Sequence, residues 1–183
     1  MFTRIMSLPL WLHGGLAAGA FAAFQGVKSK LDQSYAASGH PVDYATGQLT
    51  FDASKIESYY AVMQGKGTLD VYRTTQFIDF GFIAAVMILG LLLGTLVARL
   101  GPEASWGRRL GKTAAILAVT GAIFDALENL ASFAMLREPA AISQPLALIY
   151  SSFAAIKFAA LTAAMVVLLA SLALGLWARM AAR

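Results

Sequence analysis

The chain has 183 residues, 58% of them hydrophobic and only 13% charged; a soluble domain carries about 25% charged residues, so lipid is the expected solvent for much of it. Cysteine is absent and the only histidines are His13 and His40, in different segments, which excludes disulfides, thiolate nucleophiles and cysteine-held metal centres, and argues against a multi-histidine or bis-histidine haem site. The net charge of +4 comes from basic residues at the ends of apolar stretches, which points to a membrane and away from nucleic acid.

Four apolar stretches are each near or beyond the ~20 residues that a ~30 Å hydrocarbon core requires. They predict transmembrane helices over about 8–26, 77–98, 112–136 and 146–177. Arg4 and Ala18-Gly19-Ala20 also fit a cleavable signal peptide. The apolar run continues through Phe21 and Phe24, however, beyond the usual length of such a segment, so the expectation is a retained helix. Lys/Arg bias orients the chain. With the N-terminus inside, Arg4, Arg99, Arg108, Arg109, Lys112, Arg179 and Arg183 lie on the inner side, against Lys28, Lys30, Arg73 and Arg137 outside. Both termini are expected in the cytoplasm, with the loop 27–76 outside. Trp11, Trp106 and Trp177 fit an interfacial belt on the inner side.

Within that loop, Pro41-Val42-Asp43-Tyr44 and Gln48-Leu49-Thr50-Phe51 flank Thr46-Gly47 and read as a small turn or hairpin. Ser54 with Glu57 reads as a capping box opening a short helix over 55–64, which ends at Gly65. A further helix is expected to start near Thr68 and run into the second span. Gly15/Gly19, Gly90/Gly94 and Gly107/Gly111 have the spacing that lets helix backbones approach closely, and packing within the bundle is the favoured reading over a dimer face. The fold class expected is therefore an all-α membrane protein. It is a four-transmembrane-helix bundle with a partly helical extracytoplasmic loop between helices 1 and 2, forming one domain over 1–183.

The informative residues are those that lipid disfavours. A charge at a helix centre costs about 3 kcal/mol on insertion scales and persists when it faces the bundle interior. Asp125, Glu128, Asn129 and Ser132 follow the i, i+3, i+4, i+7 pattern and share one face of the third span. Tyr72, Gln76 and Asp79 form a stripe at the start of the second, with Arg73 beside them, and Lys157 interrupts the fourth beyond Tyr150 and Ser151. The topology brings these groups to one level in the outer half of the membrane. As a structural network, Lys157 would neutralise one carboxylate and Arg73 another. As a functional site, three carboxylates against one lysine and one arginine leave surplus acid. Such a site suits a protonated carboxyl, a cationic or hydroxyl-bearing ligand, or general acid–base work by Asp125 and Glu128. His13 is expected to hydrogen-bond a neighbouring helix.

The run from Asp43 to Lys157 resembles an uncharacterised family of bacterial four-helix integral membrane proteins. The resemblance rests on Asp43, Tyr59-Tyr60, Gly65 and Gly67, Tyr72-x3-Gln76-x2-Asp79, Asp125-x2-Glu128-Asn129 and Lys157. Thr68 stands where that pattern has an arginine before the tyrosine. The resemblance implies the fold and the choice of residues, and no activity.

No nucleophile elbow, phosphate-cradling glycine loop, metal-ligand cluster or nucleotide motif is present, and no cofactor is expected. The leading expectation is a non-enzymatic bundle that binds a lipid or small molecule or serves as an accessory subunit. Its partners would be the bilayer and a homo-oligomer or larger membrane complex. The alternatives are a carboxylate-driven enzyme acting on a lipid or isoprenoid, and a small proton-coupled transporter working as an oligomer.

Overall fold

The computed structural model describes residues 2–181. It consists of α1 (Phe2–Met6), α2 (Leu10–Ser38), α3 (Tyr44–Gln48), α4 (Ala53–Gly65), α5 (Leu69–Ala98), α6 (Trp106–Met135) and α7 (Gln144–Ala181). No strand occurs among the described residues. Three helices are long and apolar enough to cross a membrane: α5 and α6 at 30 residues each and α7 at 38. Helix α2 has 29 residues but is not one of the three, because His13, Gln25 and four glycines dilute its apolar character.

Local chemistry sets the boundaries. Helix α2 stops where Gly39 turns to φ +63°, a left-handed C-terminal cap that glycine takes without a Cβ penalty. Gly67 at φ +70° separates α4 from α5 in the same way. Of the turn or hairpin expected around Thr46-Gly47, a helical turn forms: the short helix α3, opened by Asp43, whose carboxylate accepts from the Thr46 amide at 3.0 Å and the Thr46 hydroxyl at 2.8 Å. Those two bonds, the amide's first, hold the Asp43 carboxyl below the usual carboxylate range. The cap of α4 is Asp52, which accepts from the Lys55 amide at 3.2 Å. Ser54 donates to Asp52 and Glu57 is used elsewhere, so the Ser54–Glu57 capping box is not made. Ser105 caps α6 by accepting from the Arg108 amide at 3.2 Å.

The chain divides into two compact units, each drawing on α2, α5, α6 and α7. Unit 1 comprises Met1–Phe24, Ala84–Ala122 and Phe158–Arg183. Small residues hold it together. A Cβ at Gly111 would lie 2.7 Å from the Ala98 nitrogen, and one at Gly94 2.7 Å from both the Ala115 Cβ and the Gly111 carbonyl. Gly107 abuts Gly175 and Ser171, whose hydroxyl donates to the Gly107 carbonyl at 2.7 Å. Gly15 and Gly19 differ, since nothing lies within 4 Å of a Cβ at either; packing within the chain is not what they serve. The His13 ring is fully buried. Its Nε2–H donates to the Leu92 carbonyl at 3.0 Å, while Nδ1 accepts from the Arg99 guanidinium at 3.3 Å. A carbonyl can only accept and a guanidinium only donate, which fixes the tautomer.

Unit 2 comprises Gln25–Ile83 and Ile123–Lys157. Its apolar core joins Ile56, Tyr60 and Met63 of α4, Tyr72 of α5, Met135 of α6 and Tyr150 of α7. Beside it, Tyr35 stacks on Tyr44 with ring centroids 3.7 Å apart. The His40 ring lies 5.2 Å from Tyr35, 5.2 Å from Tyr59 and 5.4 Å from Tyr72. The segment 27–76, expected as a partly helical loop, holds the end of α2, all of α3 and α4 and the start of α5 as a packed helical cap.

The glycine contacts give a two-sided expectation. Gly111→Val drives a branched side chain into the Ala98 backbone and lowers stability by about 1–3 kcal/mol, read as a lower unfolding temperature in detergent. Gly19→Ala meets no atom and leaves that temperature unchanged or raises it, since alanine is the better helix former.

Candidate functional site

The site lies wholly within unit 2 and is built around Lys157 of α7, which is 4% exposed. Its ammonium donates to Gln48 Oε1 at 3.0 Å, to Asp125 Oδ1 at 2.8 Å and to Glu128 Oε2. An ammonium has three donors, and these contacts account for three bonds. Asp125 and Glu128 come from adjacent turns of α6, so both reach the same cation. Gln48 comes from α3, so a side chain of the helical cap closes the coordination of a lysine held in a membrane-type helix.

The remaining acids and amides extend from this centre. Asn129 Nδ2 donates to Asp79 Oδ2 of α5 at 2.7 Å, and Gln76 Nε2 donates to Ser132 Oγ at 2.6 Å. Glu128, Asn129 and Ser132 are fully buried, and Asp79, Asp125 and Gln76 nearly so. Of the residues singled out in the sequence, Asp79, Gln76, Asp125, Glu128, Asn129 and Lys157 therefore sit in buried polar contacts within one unit. Tyr72 is buried in the same unit, where it packs in the aromatic core 5.7 Å from Tyr60. Arg73 does not neutralise a buried carboxylate. It pairs with exposed Asp70 and donates to the Leu136 carbonyl at 3.1 Å, because it follows Tyr72 and so points away from the stripe.

Two acceptors in the site have no protein donor: Glu128 Oε1 and Asn129 Oδ1. A buried acceptor left unpaired costs about 1–3 kcal/mol, so both favour an N–H or O–H brought to them. The charge count agrees: the carboxyls of Asp79, Asp125 and Glu128 face one ammonium. Among the described residues no group of three or more acidic or histidine side chains is arranged to hold a metal ion.

The sequence pattern did not disclose what ties the cap to the helices. Besides Gln48, Gln144 at the start of α7 accepts from the Ala53 amide at 3.0 Å and donates to the Phe51 carbonyl at 2.9 Å. Ser151 accepts from the Phe51 amide at 3.0 Å, and Glu57 accepts from the Ile142 amide at 2.7 Å. Phe51 has φ +54°, an uncommon conformation for a residue with a Cβ. Both of its backbone polar groups are held by α7 side chains, which maintains it.

Removing Lys157 leaves Asp125 and Glu128 facing each other without a cation. Lys157→Met is expected to lower stability by about 3–5 kcal/mol. Lys157→Met combined with Asp125→Leu and Glu128→Met recovers part of the loss, and denaturation in a fixed detergent measures both. A second expectation concerns the cap. Burial of the His40 ring holds its pKa below the ordinary 6.5, so the folded form binds its proton more weakly than the unfolded chain. The resulting stability is full above about pH 6.5 and is lost as pH falls below it towards the folded pKa. Unfolding midpoints between about pH 7.5 and 5.5 should therefore fall more steeply in wild type than in His40→Phe.

No protein-family model, curated protein or solved structure matches this chain.

Proposed function

We propose that this chain is a non-enzymatic integral membrane protein. In this reading α2 spans the bilayer with α5, α6 and α7, both termini are cytoplasmic, and the capped polar network binds a small molecule or lipid headgroup through a hydrogen-bond donor. The observation that carries it is the state of the network. Lys157, Asp125 and Glu128 are spent on one another at 4%, 4% and 0% exposure, yet Glu128 Oε1 and Asn129 Oδ1 keep unused acceptor capacity. A general acid or base must reach the proton it moves in a substrate, and a carboxylate already tied to a buried ammonium is poorly disposed to do so. Ligand binding needs only a donor of the right size beside the two acceptors.

A second reading, a subunit of a larger membrane assembly, is favoured by one observation. Gly15 and Gly19 on α2 have only open space around a Cβ, and small residues of this spacing suit close helix contact with another chain.

Native mass spectrometry of the detergent-extracted protein tests both. The wild type is expected to retain a small-molecule or lipid mass that Glu128→Gln loses by roughly tenfold, the equivalent of one charge-assisted hydrogen bond. A bare monomer in wild type and variant alike would remove the binding reading. A wild-type oligomer dispersed by Gly15→Leu with Gly19→Leu supports the assembly.

A further inference from the structure

Unit 1 contains a cavity of 320 Å³ lined by Thr3, Met6, Ser7, Arg108 and Lys112. We propose that it seats a phosphate oxyanion, that of an anionic phospholipid headgroup. Arg108 and Lys112 are four residues apart on α6 and share a face. Thr3 and Ser7 also line it; the Ser7 hydroxyl donates to the Arg4 carbonyl at 2.9 Å, so Thr3 supplies the neutral hydroxyl donor. With it, a guanidinium fork and an ammonium make a donor set suited to a tetrahedral oxyanion.

The local electrostatics call for an anion. Arg108, Arg109 and Lys112 all fall in the first two turns of α6, and the first turn holds no acidic residue. The N-terminal end of a helix carries positive partial charge, which disfavours cations and favours anions. Like charges four apart add to the strain. Unit 1 spans only one acidic position, Glu103, against seven basic ones. Glu103 lies 3.5 Å from Arg108 with its own side chain 90% exposed, so it answers one of these cations weakly and the others not at all.

The surroundings favour a lipid as the source of the phosphate. Trp11 is 78% exposed, Leu10 59% and Trp106 71%, and the Arg109 guanidinium lies 5.3 Å from the Trp106 ring centroid. Exposed tryptophans beside basic residues are the composition of a headgroup-level belt. Basic pockets between helices at that level hold anionic headgroups. Met6 gives the cavity an apolar edge suited to the start of an acyl chain.

The test uses the full chain in a neutral detergent, titrated with dioleoyl phosphatidylglycerol, dioleoyl phosphatidylcholine or inorganic phosphate, with retained ligand read by native mass spectrometry. The wild type should retain phosphatidylglycerol roughly tenfold better than phosphatidylcholine. Arg108→Gln with Lys112→Gln should lose that preference while circular dichroism and elution volume stay those of the wild type. Should the double variant fail to fold, Thr3→Val replaces it, since Thr3 lies in the short helix α1. Competition by millimolar inorganic phosphate would support the phosphate site and identify a soluble source for its occupant. Equal retention of the two lipids, or undiminished phosphatidylglycerol binding in a folded variant, overturns the proposal.

Discussion

The buried ammonium of Lys157 is the constraint on which unit 2 depends. A lysine in an apolar helix must turn away from lipid and find acceptors, because an unpaired charge there costs far more than one contact returns. That requirement orients α7. It also demands carboxylates at matching positions on α6, which Asp125 and Glu128 supply from adjacent turns. The third acceptor is Gln48 of α3, so the same charge that orders the helices anchors the cap. Gln144 and Ser151 on α7 then hold Phe51 by both its backbone groups, and Glu57 closes the link at Ile142.

The two units solve one physical problem with different chemistry. Helices in lipid gain no hydrophobic driving force from touching, so they associate through close packing or through polar contacts. Unit 1 uses packing: at Gly90, Gly94 and Gly111 the approach leaves no room for a Cβ, and at Gly107 it leaves little. His13, bonded to Leu92 and Arg99, adds its one buried ring. Unit 2 uses amides, acids and a lysine, with tyrosines packed beside them. A polar network specifies partners more narrowly than a glycine seam does, and it lies where a cap has to be registered against helices.

Much of this was legible in the sequence, for reasons that differ by residue. Asp125, Glu128, Asn129 and Ser132 announce a shared face because helical spacing is fixed, and Lys157 stands out because lipid disfavours it. The partner Gln48 was hidden. Its surroundings, Thr46-Gly47 between two short flanking runs, read as a small turn or hairpin with no tie to Lys157, whereas Asp43 caps a helical turn there that carries Gln48. Gly47 is in that helix because a Cβ would lie 3.0 Å from the His40 ring, a tertiary reason that no local pattern carries. Asp52 displaced Ser54 as the cap of α4 because Glu57 was needed at Ile142. Arg73 was assigned to the buried acids on proximity in sequence, while helical geometry sends it to Asp70 and the Leu136 carbonyl. Contacts between distant segments were the part beyond reach, and all of the cap's anchoring belongs to them.

The incomplete pairing bears on why such a network exists at all. A buried ion pair is weak evidence for stability, since apolar residues of similar size often serve as well or better. If fixing the helices were its whole role, three carboxyls around one ammonium would be a poor solution, and two orphaned acceptors poorer still. The aromatic core nearby already supplies apolar packing among Tyr60, Met63, Tyr72 and Tyr150. A surplus of acceptors beside a fully engaged lysine has a physical rationale when something carrying donors, or positive charge, completes the set. Glu128 Oε1 and Asn129 Oδ1 are where that completion would occur, and Lys157 determines the side of Glu128 from which it comes, because Oε2 is already taken.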